Sequence, residues 1–201
     1  LGVDLRRFSP AGEASGGGAP GIVCTRRQEA IYANHVIVAA LGRLAKEGAA
    51  FRAVMVGGGP LLESRREQAR RLGVASIEFT GQIARDRLGE ILRASRIYVS
   101  ASLSDGTSSS LLEALATGLF PVVSRIRGNL DWIRDGETGL LFDPGDEEGL
   151  ARALRRALGD EDLRARAAKE NRELVEREGS LDRNMERMLS LLDRAARARS
   201  R

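Results

Sequence analysis

Asp105-Gly106-Thr107-Ser108-Ser109-Ser110-Leu111-Leu112-Glu113-Ala114-Leu115-Ala116-Thr117-Gly118 is the stretch whose reading decides the fold of this chain. Ile97-Tyr98-Val99-Ser100 precedes it and Phe120-Pro121-Val122-Val123-Ser124 follows it. Both are short runs rich in β-branched and aromatic residues, the composition of buried strands. Between them Leu111, Leu112 and Leu115 recur at helical spacing, and Gly118 stands where a helix would stop. The unit reads as strand, polar loop, helix, strand. It sets one acid, Asp105, and several hydroxyls at the C-terminal end of a strand, with a second acid, Glu113, inside the helix. In open α/β sheets that end of the strands is where ligands bind. Each acid also has a purely structural reading. Asp105-Gly106 is ordinary turn chemistry, and Ser110-x-x-Glu113 matches a capping box.

The alternation continues in both directions. Upstream, Gly21 to Thr25, Ala53 to Val56 and Ile77 to Thr80 read as strands, with helical patterns over 35–45, from Pro60 to about Leu72, and over 85–94. Downstream, 124–133 reads as a loop and short helix, and Asp135-Gly136-Glu137-Thr138-Gly139-Leu140-Leu141-Phe142 as a turn and a sixth strand. From Asp146 onward the pattern is helical, roughly 147–158, 161–178 and 180–198. Strand and helix thus alternate six times with no second core. Short connections of this kind suit right-handed parallel crossovers. The expected architecture is a three-layer α/β/α domain with a six-stranded parallel sheet and extra C-terminal helices. The expected divisions are a linker-like segment and mobile, Gly/Ser/Ala-rich loop over 1–20, a ligand-binding domain over 21–158, and the C-terminal helices over 159–201. The start at Leu1-Gly2-Val3-Asp4, without an initiator Met, suggests a piece of a longer protein.

Composition narrows the function classes. At 201 residues, 42% hydrophobic and 30% charged, the chain can bury one good core and is not of disordered composition. Its charge of +4 is carried almost wholly by Arg, but aromatic residues make up only 4%, and no basic stripe interleaved with rings suggests nucleic acid. A lone cysteine, Cys24, permits no internal disulfide and offers no thiolate cluster for a metal. Asp160-Glu161-Asp162 has an acid-x-acid form but opens a helix, where acids complement the dipole, so no metal site is expected. No apolar run reaches membrane-spanning length and no signal peptide is visible, which points to a cytoplasmic location.

The two acids are 113 − 105 = 8 positions apart and lead into Glu-Ala-Leu-Ala-x-Gly-x-Phe-Pro-Val-Val. That pattern resembles the acid-x7-acid motif of retaining glycosyltransferases of the GT-B fold, glycosyltransferase family 4 (group 1) in particular. The usual first acid there is Glu, so Asp105 is one methylene shorter. The resemblance runs from Gly2 to about Leu158. It includes Gly57-Gly58-Gly59-Pro60, Phe79-Thr80-Gly81-Gln82-Ile83 and Asp135-Gly136-x-x-Gly139-Leu140-Leu141 in the family's order. It implies the Rossmann-like C-terminal, donor-binding domain of a two-domain GT-B enzyme.

On that resemblance, Asp105 holds sugar hydroxyls, Glu113 holds the ribose, and an arginine after the first strand neutralises the donor's diphosphate. Aligning back from 36–41 puts Arg27 on that arginine and Tyr32 on a lysine that the family carries five residues later. The lysine is therefore missing, and Arg26, Arg125 and Arg127 are alternative cations. The implied catalytic residues are Asp105, Glu113 and Arg27. The implied donor contacts are Arg26, Gly58, Gly59, Gly81, Gln82, Ile83, Gly106, Thr107, Ser108 and Ser109. The implied reaction transfers a sugar from a UDP-, GDP- or ADP-sugar, with retention and without a cofactor or metal. The acceptor is a glycan or lipid-linked molecule held by an N-terminal domain. The same resemblance allows peripheral association of the full-length protein with the inner face of the membrane. An inactive nucleotide-sugar-binding module, which the missing lysine favours, and an epimerase of the same architecture are the competing readings.

Overall fold

Among the described residues six strands alternate with helices: β1 (Gly21–Cys24), β2 (Arg52–Val56), β3 (Ile77–Gly81), β4 (Ile97–Ser100), β5 (Phe120–Ser124) and β6 (Leu140–Phe142). The helices between and after them are α1 (Asn34–Lys46), α2 (Leu62–Leu72), α3 (Arg85–Arg93), α4 (Ser109–Ala116), α5 (Arg127–Leu130), α6 (Glu147–Gly159), α7 (Glu161–Leu174) and α8 (Leu181–Arg199). This computed structural model describes residues 2–10 and 21–199. The expected loop over 11–20 lies outside the described residues.

All sheet pairings are parallel, in the order β3-β2-β1-β4-β5-β6. The order reverses direction between β1 and β4, where Ile22 pairs with Ile97 and Val23 with Tyr98. A crevice opens at the C-terminal ends of two strands whose connections leave in opposite directions, and in doubly wound sheets ligands bind there. Side chains alternate across each strand. Ile22, Cys24, Ile97, Val99, Phe120 and Val122 point to one face, packed by α1 and α6 through Ile37, Leu41, Leu44, Leu150 and Leu154. Val23, Tyr98 and Val123 point to the other, packed by α4 through Leu111, Leu112 and Leu115. Burial on both faces is why the strands read as continuous apolar runs.

The C-terminal helices depart from the expected outline in two ways. α7 is not peripheral, because Leu163 and Ala167 belong to the same core as β1 and α1. The helical pattern over 161–178 also breaks early: α7 ends at Leu174, and Val175–Gly179 forms a π-helical turn. The end of this turn is bonded to the N-terminal segment. Val3 is buried, its N–H donates to the Gly179 carbonyl at 2.8 Å, and its carbonyl accepts from Leu181 N–H at 3.1 Å. Beyond that turn α8 exposes Leu181, Met185, Met188 and Leu192, a row at helical spacing.

Candidate functional site

The loops leaving β1 and β4 meet at the reversal, and Arg26 joins them. Its Nη2 donates to Asp105 Oδ2 at 2.5 Å and its Nη1 to Ser108 Oγ at 2.6 Å. The guanidinium carbon lies 4.1 Å from the centre of the Tyr32 ring. Arg26 is therefore forked by two acceptors on the β4 loop and backed by an aromatic face, an arrangement suited to a planar cation. Its Nε–H is buried and has no hydrogen-bond partner among the described residues.

The neighbouring arginine goes the other way. Arg27 has a 69% exposed side chain and pairs with Glu29 at 2.9 Å. Successive side chains of an extended segment point to opposite sides, so a shift of one position decides which arginine enters the crevice. Spacing from α1 selects Arg27; the structure turns Arg26 toward Asp105.

The backbone around Arg26 is fixed from behind. Asn34 Nδ2 donates to the Arg27 carbonyl at 2.9 Å, and Gln28 Nε2 to the Arg26 carbonyl at 3.3 Å. Gly57, at φ +123°, packs so closely on Arg26 that a β-carbon there would lie 2.9 Å from the Arg26 carbonyl oxygen. Gln28 N–H donates to the Gly58 carbonyl at 3.0 Å, and a β-carbon on Gly59 would lie 2.5 Å from the Gln28 carbonyl oxygen. The glycine run thus lets two loops touch. Pro60 sits in the turn before α2, which begins at Leu62.

The Asp105 side is held in the same manner. A β-carbon on Gly128, at the start of α5, would come 2.1 Å from the Gly106 carbonyl oxygen. Ser124 Oγ donates to the Ser102 carbonyl at 2.6 Å, and Asn129 Nδ2 to the Ser124 carbonyl at 2.8 Å. These buried polar residues position the β4 loop. Sequence reasoning missed them because nothing in a single Ser or Asn announces which carbonyl it will meet.

At α4 the capping-box reading fails. The cap is Ser108, whose Oγ accepts from Leu111 N–H at 3.3 Å, so Leu111 and not Glu113 holds the third helical position. Glu113 lies further in, half-buried; its carbonyl accepts from Thr117 Oγ1 at 2.7 Å, while its carboxylate has no hydrogen bond or ion pair among the described residues. Burial pushes its carboxyl above the usual glutamate value, and the Arg85 charge at the start of α3 acts in the opposite direction. A partly desolvated carboxylate without a partner is an acceptor awaiting donors.

The remaining candidates are scattered along the same strand ends. Gly81 closes β3 at φ +67° and its carbonyl accepts from Gly57 N–H at 2.8 Å, while Gln82 is exposed and Ile83 packs against the α4-side core. Thr107 and Ser109 flank the cap, Thr107 half-buried and Ser109 exposed. Arg125 is engaged by Asp135 at 2.6 Å, and Arg127 is exposed. Asp160 caps α7, accepting from Leu163 N–H at 2.9 Å. Among the described residues no group of three His, Cys, Asp or Glu could hold a metal. Cys24 is buried, which pushes its thiol up to about 11 and leaves it protonated at neutral pH.

The family model for group 1 glycosyl transferases matches residues 13–174. The chain belongs to that family. It is 33% identical over 122 residues to the lipopolysaccharide core biosynthesis glycosyltransferase LpsE of Rhizobium meliloti (strain 1021), a match covering 60% of this chain and 35% of the relative. Its fold superposes on sucrose-phosphate synthase of Thermosynechococcus elongatus with a TM-score of 0.87 at 23% identity, covering 98% of this chain and 52% of that one. It also superposes on Anabaena HepE, solved with UDP and glucose, with a TM-score of 0.84 at 16% identity, covering 96% of this chain and 55% of that one. The chain therefore spans about half the length of these structures. In this group 1 glycosyltransferase chain, no helix among the described residues is long and apolar enough to cross a membrane.

Proposed function

We propose that this chain is the C-terminal, donor-binding half of a retaining glycosyltransferase of family 4. It takes a sugar from a nucleoside diphosphate sugar, without a metal, and passes it to a glycan or lipid-linked acceptor held by a further domain. The observation that carries the reading is the meeting of Arg26 with Asp105 and Ser108 at the reversal of strand order, with the unpartnered Glu113 one turn into the helix that Ser108 caps. Family membership and the UDP complex of the HepE neighbour support a nucleotide donor.

In this reading the diphosphate sits over Arg26 and the amides of the α4 N-terminus, which favour anions. Negative charge builds on the leaving diphosphate as the anomeric bond breaks. A fixed donor in such a place contributes roughly 3–4 kcal/mol to the transition state. Glu113 accepts from the ribose hydroxyls, and Asp105, with Thr107 and Ser109 beside it, faces the sugar. Gly58, Gly59, Gly81, Gln82 and Ile83 edge the base, and Arg27 lies at the periphery as a supplementary cation. The exposed apolar row on α8 supports packing against more protein.

A thermal-shift panel of UDP-, GDP- and ADP-sugars tests the reading, because a ligand bound only by the native state raises its stability. One nucleotide class is expected to raise the melting temperature. A flat response to all three at millimolar concentration would overturn it.

A further inference from the structure

The charge that should meet the diphosphate is already taken. Arg26 has only 9% of its side chain exposed, and Asp105, at 26%, holds it at 2.5 Å. Ser108 occupies Nη1 and the Tyr32 ring covers one face. An incoming diphosphate therefore meets a neutralised pair rather than a free cation, with the Asp105 carboxylate repelling it at short range.

Resting on the donor-binding reading above, we infer that Asp105 is a specificity-determining residue that separates the nucleotide sugar from its own nucleoside diphosphate by an exchange of partners. When the full donor binds, Arg26 passes from Asp105 to the phosphate oxygens, and Asp105 passes from Arg26 to the sugar hydroxyls. Every charged group exchanges one set of partners for another. A bare diphosphate completes only half of the exchange. It captures Arg26 but leaves a partly buried carboxylate with no donor, beside added negative charge. Leaving such a group unpaired is what makes polar recognition discriminating.

Two features of the pair fit this role. Arg26 keeps a buried Nε–H with no partner among the described residues, so its contacts with Asp105 and Ser108 do not use all five of its donors. Asp105 sits on a loop wedged by Gly128 against Gly106, so its backbone stays in place when its side chain changes partner. The shorter acid matters as well, because an Asp at this position reaches Arg26 directly across the crevice. The consequence is functional: the product diphosphate is held more weakly than its phosphate contacts alone would give, which favours its release after transfer.

The test is calorimetric titration of the wild-type chain and Asp105→Asn with UDP and UDP-glucose, or with the corresponding GDP or ADP pair if the thermal panel selects that base. Asparagine keeps the shape and removes the charge. The inference expects opposite signs: Asp105→Asn binds the bare diphosphate several-fold more tightly and the nucleotide sugar roughly ten- to a hundredfold more weakly. A bare diphosphate bound equally well or less well by the variant overturns the exchange and makes Asp105 a simple positioning residue for Arg26. Wild-type protein that binds neither ligand overturns the donor-binding reading itself. If Asp105→Asn does not fold, the Arg26 Nε–H resonance of the wild type, assigned with Arg26→Lys, reports instead. Both ligands should shift it, and a resonance moved by neither excludes the exchange.

Discussion

Arg26 and Asp105 are 79 positions apart in the chain and 2.5 Å apart in space. Each leaves the C-terminal end of a strand beside the reversal of strand order, so their ion pair ties together the two halves of the sheet. With 9% and 26% of their side chains exposed, the pair is removed from bulk water far more than the surface pairs around it. Removing one partner leaves the other desolvated, which costs more than losing an exposed pair.

Arg26→Lys should therefore be destructive where Arg27→Lys is not. Lysine cannot fork Asp105 and Ser108 or stack flat on Tyr32. A loss of about 1–3 kcal/mol corresponds to a fall in melting temperature of roughly 3–10 °C for a chain of this size. Arg27→Lys, at an exposed pair, should shift it by no more than about 2 °C. Parallel thermal melts decide this, and equal shifts would contradict the placement of the two side chains.

Gly128→Ala adds a methyl group where the Gly106 carbonyl oxygen would be 2.1 Å away. The backbone must shift, at about 1–3 kcal/mol for overpacking. The displaced Asp105 loop should also weaken nucleotide-sugar binding more than bare-nucleotide binding. Denaturant melts and titrations of this variant measure both effects, and unchanged stability would contradict the close approach of α5 to the β4 loop.

Glu113 makes stability and binding depend on pH with opposite signs. Its folded pKa lies above the ordinary value of 4.5 because of burial. The proton is held more tightly in the folded state, so its stabilising contribution is fully present below 4.5 and is lost as pH rises through the folded value. Relative to Glu113→Gln, the wild type should lose stability across that interval. Nucleotide affinity should instead rise there, since the ionised carboxylate is the better acceptor for ribose hydroxyls. Melting temperatures and affinities of both proteins across this interval give the comparison, and parallel curves would remove the ionised acid from the account.

Donor binding should survive chelation. Asp160 is engaged in capping α7, and the crevice offers one carboxylate paired to Arg26 and another within a helix. EDTA should leave the thermal shift produced by a nucleotide sugar unchanged, and its restoration only by added Mn²⁺ or Mg²⁺ would contradict this.

Much of the fold was legible because burial on both faces leaves plain marks. The apolar runs at 97–100 and 120–124 and the leucines of α4 pointed to a strand-helix-strand unit, which the structure contains as β4, α4 and β5. Less local facts were not legible. The choice between Arg26 and Arg27 depends on which way one extended residue faces. Spacing favours a cap at Ser110, whereas the cap is Ser108: several serines compete, and only backbone geometry picks one. Spacing shows only that Tyr32 stands where the family's lysine would be; that its ring lies under the Arg26 guanidinium has no signature in spacing. The bridge from Val3 to Gly179 and Leu181 joins residues more than 170 positions apart, and no helical pattern could reveal it.

The most direct test of the central claim is calorimetric titration of wild-type protein and Glu113→Gln with the nucleotide sugar that gives the largest thermal shift. Glu113 does not cap α4, so the amide should leave the fold intact and remove only the charged acceptor. The account predicts saturable binding by the wild type and affinity weaker by roughly ten- to a hundredfold in the variant. Equal affinity in both proteins, or no saturable binding of any nucleoside diphosphate sugar by the wild type, would contradict it.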